Sequence, residues 1–133
     1  MKKRFIIFFA ALCLLSGCGG EGSTQEETVV VTFQQISQEE AKTIMSTNQE
    51  AVILDVRTQE EYDSGHIKGA VLLPVDAITE ETAQEVIPTK DTQVLVYCRS
   101  GNRSKQASAK LVNLGYTNVV EIGGIIDYHG EIE

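Results

Sequence analysis

The hydrophobic positions of this chain change period along its length, and each change marks an element. Val29 to Phe33 is a β-branched run that predicts a first strand. Ser37-Gln38-Glu39-Glu40 has the spacing of a reciprocal N-terminal cap and opens a helix predicted to reach about Thr47, with Ala41, Ile44 and Met45 on its inner face. Val52 to Val56 is a short apolar run suited to a strand buried on both faces. Thr58 to Glu61 repeats the cap spacing and starts a short helix that Gly65 ends. A brief strand at Ala70 to Leu73 stops at Pro74, and a helix from about Thr79 to Val86 stops at Pro88. Gln93 to Tyr97 is a second buried-type strand, with Cys98 at its C-terminal end. After a turn at Arg99 to Asn102, a helix is predicted from about Arg103 to Leu114; Ala107, Leu111 and Leu114 share one face, and Gly115 supplies the stop. Val119 to Ile122 completes the series as a last strand. Strands alternating with helices predict βαβ units, hence an α/β fold with a mainly parallel sheet. Ligands of such sheets bind beyond the carboxyl ends of strands, where Cys98 lies.

The N-terminus carries a different signal. Lys2, Lys3 and Arg4 precede an unbroken apolar run, Phe5 to Leu15, and small residues follow at Ser16 and Gly17. That is the layout of a secretory signal, and its eleven apolar residues fall short of the roughly 20 needed to cross a bilayer. Leu15-Ser16-Gly17-Cys18 resembles a bacterial lipobox, which implies cleavage before Cys18 and acylation of that cysteine. Two acyl chains, such as palmitate, suffice for stable anchoring. The expected organisation is a signal peptide over 1–17, a lipidated N-terminus and flexible Gly-, Ser- and Glu-rich tether over 18–28, and one domain over 29–133. The expected location is the extracytoplasmic side of the cell membrane.

Charge and cysteine content narrow the chemistry. Without Lys2, Lys3 and Arg4, eight basic residues stand against 19 acidic ones, a net of −11, which argues against nucleic acid as a partner. With Cys13 lost with the signal and Cys18 lipidated, Cys98 stands alone, so no intramolecular disulfide is expected. Acidic residues are absent between Asp91 and Glu121, whereas Arg99, Arg103, Lys105 and Lys110 lie there. An acidic chain thus has one basic stretch, around its lone thiol. Gly101 permits a turn with positive φ, and the helix that follows aims its unpaired N–H groups and dipole back at Cys98. Such a setting lowers a thiol pKa and forms an anion pocket.

Cys98-Arg99-Ser100-Gly101-Asn102-Arg103-Ser104 resembles the active-site loop of single-domain rhodaneses. Asp55-Val56-Arg57, Glu61-Tyr62, Gly65-His66-Ile67-Lys68-Gly69-Ala70 with Pro74, and Gly123-Gly124-Ile125 are similar to the family's other blocks, so the likeness covers about Phe33 to Tyr128. The resemblance implies a three-layer sandwich with a five-stranded mainly parallel sheet flanked by helices. It also implies a sulfurtransferase that moves sulfane sulfur from a small anionic donor such as thiosulfate, through a Cys98 persulfide, to a thiol or cyanide-like acceptor, without a cofactor. By the same likeness, backbone N–H groups from Arg99 through Ser100, Gly101, Asn102 and Arg103 to Ser104 cradle the sulfur and the donor. Arg99 and Arg103 hold the donor's charge, and Asp55 and Arg57 are expected to buttress the loop. One departure is Tyr128, near which the family usually shows tryptophan, so packing beneath the loop is expected to differ.

Other candidates carry less. His66 and His129 have no metal-ligand spacing, so no metal site is expected, and His66 reads as a loop-fixing hydrogen-bonder. Glu60-Glu61 and Glu80-Glu81 are adjacent on predicted helices and read as solvated faces. Two rival functions remain on the same fold. A rhodanese-fold phosphatase resembles His-Cys-x5-Arg, whereas Tyr97 precedes Cys98 here and only four residues separate it from Arg103. A binding module without chemistry would not need the thiol.

Overall fold

The structure, a computed structural model, describes residues 32–133. The expected signal, the Cys18 anchor, the tether and Val29 to Val31 lie outside the described residues. The elements run β1 (Gln34–Gln35), α1 (Gln38–Thr47), β2 (Val52–Asp55), α2 (Gln59–Asp63), β3 (Val71–Leu72), α3 (Glu80–Val86), β4 (Val94–Cys98), α4 (Asn102–Asn113) and β5 (Val119–Gly124). They form one five-stranded sheet in the order β1-β5-β4-β2-β3, with every adjacent pair parallel.

Helix starts follow the cap spacing. Ser37 and Glu40 cap α1 reciprocally, as do Thr58 and Glu61 for α2, and Thr79 with Thr82 does the same for α3. Each reciprocal pair satisfies two helix-end N–H groups that would otherwise lack partners. α3 gives way at Ile87, which is extended at φ −117° and ψ 110°, because a residue before proline is pushed out of the helical region.

β4 is buried along its whole length and divides the core. Its side chains alternate between faces. Val94, Val96 and Cys98 join Ala83 of α3 and Ala107 and Leu111 of α4 on one side. Leu95 and Tyr97 join Ala41 of α1, Ile67 and Ile122 on the other, with Ile44, Met45 and Tyr62 packed against them. Helices on both faces of a parallel sheet make the three layers.

Two boundaries differ from the sequence pattern. The first strand among the described residues is the exposed pair Gln34–Gln35, and Thr32 and Phe33 of the expected run precede it outside any strand. A parallel edge pairs through backbone groups and needs no apolar side chain, and Phe33 packs instead against the α3–α4 side of the core. The last strand runs two residues past Ile122, to Gly124, because β5 bulges against β4. Val96 aligns with Glu121 but Cys98 with Gly124, so two residues of β5 stand opposite Tyr97. Gly123, at φ 90°, absorbs the bend. Short 3-10 turns at Val75–Ala77 and Ile125–Asp127 are too brief to show a period in the sequence.

Candidate active site

Cys98 is the last residue of β4, and its side chain is 1% exposed. The chain turns at once into α4 through Gly101, whose φ of 105° is left-handed and favours glycine. No side chain caps α4, so its first N–H groups stay directed at the turn. Gly101 N donates to Cys98 Sγ at 3.0 Å, and Ser104 Oγ lies 3.5 Å from the sulfur. Burial pushes the thiol pKa up. Hydrogen bonds from the Ser104 side chain and from the N–H groups of Ser104, Gly101 and Ser100 outweigh it, leaving Cys98 below the ordinary thiol value.

The turn is held from beneath by β5. A Cβ on Gly124 would lie 2.2 Å from the Arg99 carbonyl oxygen and 2.7 Å from Ser100 Cα, so only glycine lets these backbones meet. Ile126 N donates to Arg99 O at 3.3 Å, and Gln38 Nε2 at the start of α1 donates to Gly124 O at 2.8 Å.

The expected loop residues come together as a continuous turn, but their roles in space differ. Arg99, Ser100 and Asn102 are exposed at the rim, whereas Gly101 and Ser104 are buried beneath it. Arg103 is half-buried and forms a two-pronged pair with Glu61: Nη1 to Oε2 at 2.7 Å and Nη2 to Oε1 at 2.8 Å. Glu61 Oε2 also accepts from Thr58 N at 3.0 Å, so one carboxylate both caps α2 and orients Arg103. The Arg103 guanidinium, with help from Thr58, holds the Glu61 carboxyl down at about 2. The reading of Glu60-Glu61 as a solvated face therefore holds for Glu60 alone, because α2 turns Glu61 inward.

The basic stretch is not basic in three dimensions. Glu61 enters from α2, and Glu121 from β5, where it is 4% exposed. Glu121 Oε1 accepts from Ser104 Oγ and, at 2.9 Å, from Gly123 N. In the sequence Glu61 reads as a helix cap, a family-block residue and a solvated charge, and neither carboxylate is marked as a partner of the turn. The signal for Glu121 was a charge inside the apolar run Val119-Val120-Glu121-Ile122.

Asp55 and Arg57 lie one strand away and act through Tyr97. The buried Asp55 carboxylate accepts from Arg57 Nη2 at 2.7 Å and from Tyr97 Oη at 2.6 Å. Tyr97 Oη in turn accepts from Ile67 N at 3.1 Å, and Arg57 Nη2 reaches Gly65 O at 2.7 Å. This network braces the residue before Cys98 and the turn after α2. His66 fixes that turn as expected, with Nδ1 3.0 Å from Tyr62 O and its ring stacked 3.8 Å from the tyrosine ring. Tyr128 packs on the α1 side, with its hydroxyl 3.7 Å from Met45 Sδ. A cleft of about 650 Å³ between α1 and the Tyr128–Glu131 segment is lined by none of residues 98–104.

A thiol below its ordinary pKa, ringed by backbone N–H groups at a helix start and flanked by an arginine, is equipped to attack a sulfur carrying negative charge. The rhodanese-like domain profile matches residues 37–130. Thiosulfate sulfurtransferase PspE of Escherichia coli is 40% identical over 74 residues, which are 56% of this chain and 70% of that protein. A tRNA uridine(34) hydroxylase of Photorhabdus laumondii is 34% identical over 88 residues, but these span only 25% of its length. Among solved structures, a rhodanese with anions from E. coli superposes with a TM-score of 0.57 at 36% identity, covering 62% of this chain and 96% of its own. The chain belongs to the rhodanese-like domain family.

Proposed function

We propose that the protein is a sulfurtransferase that carries sulfane sulfur as a persulfide on Cys98. The observation that supports this most is the Cys98 sulfur itself, which accepts Gly101 N–H at 3.0 Å at the uncapped start of α4. In the first half-reaction the thiolate attacks the outer sulfur of thiosulfate. The new S–S bond forms as the old one breaks, and its electron pair leaves with sulfite. A thiol or cyanide then takes the outer sulfur and releases the Cys98 thiolate. N–H groups from Arg99 to Ser104 stabilise the charge on sulfur throughout. Arg103 has five N–H donors, of which two face Glu61, so the rest remain for the oxygens of the donor. Arg99, exposed at the rim, adds a second charge.

Incubation with thiosulfate followed by intact mass spectrometry tests this. A gain of one sulfur, lost on adding cyanide and absent from Cys98→Ser, is the expected result. No gain would leave a binding module on a rhodanese scaffold and overturn the enzymatic reading.

We also infer from the lipobox-like Leu15-Ser16-Gly17-Cys18 that acyl chains on Cys18 hold the domain at the extracytoplasmic membrane face. Cys18→Ala should move the protein out of the membrane fraction or leave its precursor uncleaved. A mature, firmly membrane-bound variant would overturn the anchor.

A further inference from the structure

Two carboxylates are buried among the described residues, Asp55 and Glu121. Asp55 has Arg57 at 2.7 Å, but Glu121 forms no ion pair with any described residue. An ionised carboxylate in that position is unfavourable unless other groups share its charge. Its two partners are neutral, the N–H of Gly123 and the hydroxyl of Ser104. That hydroxyl also lies 3.5 Å from Cys98 Sγ and 2.9 Å from the Gly101 carbonyl. Cys98, Ser104 and Glu121 thus form a chain buried on the α4 side of the sheet, with sulfur at one end and carboxylate at the other.

A serine hydroxyl has one proton to give and can accept at the same time. When Glu121 is ionised, Ser104 donates to it and turns its lone pairs toward the sulfur, an arrangement that suits a protonated thiol. When Cys98 is a thiolate, Ser104 does better to donate to sulfur, and Glu121 then loses that donor unless it holds a proton itself. The geometry points to Glu121 as a positioning residue that acts on Cys98 through Ser104, the three sharing one exchangeable proton. In the step, the S–H proton passes to Ser104 Oγ as the serine proton passes to Glu121 Oε1. One S–H bond breaks, one carboxyl O–H bond forms, and the negative charge moves from carboxylate to sulfur with no change in net charge. The reverse step returns the proton when the thiolate is not engaged.

Of the other charged groups around this chain, Arg99 lies exposed at the rim, and the acidic ones are already paired. Arg103 of α4 faces Glu61 of α2, and Asp55 at the end of β2 faces Arg57 and Tyr97. From α1 the neighbour is the uncharged Gln38, bonded to Gly124 O. Glu121 is therefore the group left free to take the proton.

The inference rests on Cys98 as the sulfur carrier and deepens that reading. Its test follows the proton alone. In the full chain, the rate of iodoacetamide alkylation is measured against pH and read by mass spectrometry on the peptide containing Cys98, so Cys13 and Cys18 do not contribute. Two groups sharing one proton titrate as a pair in two steps. The wild-type rate should climb to a partial plateau and rise again at higher pH, by about twofold if the charge is shared evenly. Glu121→Gln, which cannot take the proton, should show one step. A one-step profile in the wild type overturns the inference, whether or not Glu121→Gln folds. So does a two-step profile that Glu121→Gln or, should that variant not fold, Glu121→Asp leaves unchanged. Because alkylation needs no sulfur donor, a two-step profile in a chain that gains no sulfur would reject the sulfurtransferase reading while keeping the shared proton.

Discussion

Arg103 on α4 and Glu61 on α2 meet through two parallel hydrogen bonds, 2.7 and 2.8 Å long, although 42 residues separate them. The pair links the helix that begins at the active-site turn to a cap on the opposite face of the sheet. It fixes a long side chain that would otherwise sweep the rim, which holds the guanidinium in one orientation. Glu61 thereby joins a local device to a functional one.

That pair makes stability depend on acid. The Glu61 carboxyl is held at about 2 in the fold, against 4.5 when free. A depressed carboxyl contributes stability that is present above about 4.5 and lost as pH falls through about 2. Glu61→Gln should lower stability at pH 7 by on the order of 1–2 kcal/mol after solvent screening. The difference from wild type should shrink below pH 4.5 and vanish near pH 2. Urea midpoints of both proteins across pH 2–7 check it, and a gap that stays constant with pH would refute it.

The arginine itself should matter more to the donor than to the fold. Arg103→Ala should cut turnover of an anionic donor by about tenfold or more, the loss of one charge-assisted hydrogen bond. Lys110→Ala should have little effect, since Lys110 Nζ is engaged with Val75 O at 2.9 Å on the far part of α4. Arg103→Lys should recover only part of the loss, because an ammonium cannot serve Glu61 and an oxyanion with a planar fork. Equal effects of the two alanine variants in a thiosulfate assay would remove Arg103 from the donor site.

Gly124 and Gly115 separate two reasons for glycine. Gly115 needs its left-handed φ of 95° but has nothing within 4 Å of a Cβ, so Gly115→Ala should cost about 1–2 kcal/mol and leave Cys98 alkylation unchanged. Gly124→Ala would drive a methyl into the backbone of Arg99 and Ser100. It should displace the turn and slow the thiol at pH 7 as well as lower the melting temperature. Normal thiol reactivity in a folded Gly124→Ala protein would show that β5 does not hold the turn.

Tyr97→Phe should act on stability alone. It leaves the Ile67 N–H without its 3.1 Å acceptor and removes one donor from Asp55, a loss of about 1–3 kcal/mol. The sulfur lies on the opposite face of β4, so the pH profile of Cys98 alkylation should not move. A shifted profile would tie the Asp55 network to the chemistry.

Much of this was legible in the sequence, because its devices are local. The caps at Ser37 and Thr58 involve residues three apart, and the Cys98 turn spans seven consecutive residues, so spacing alone predicts them. What spacing could not show is which residues meet across the sheet. Arg103 reads as one of four unopposed charges until α2 brings Glu61 to it. Glu121 reads as an odd residue in an apolar strand until the packing of α4 on β5 sets it beside Ser104. β1 escaped because an edge strand of two exposed glutamines has no hydrophobic signature.

The alternation of side chains along β4 has a wider consequence. Tyr97 and Cys98 are neighbours in sequence, yet they face opposite layers. The scaffold's foundation and its reactive floor are thus insulated from each other by the thickness of one strand. Substitutions in Asp55, Arg57 or Tyr97 would alter how long the molecule survives, and substitutions at Ser104 or Glu121 would alter the surroundings of the sulfur. A protein divided in this way can acquire a new substrate by drift on one side while the other side keeps it folded.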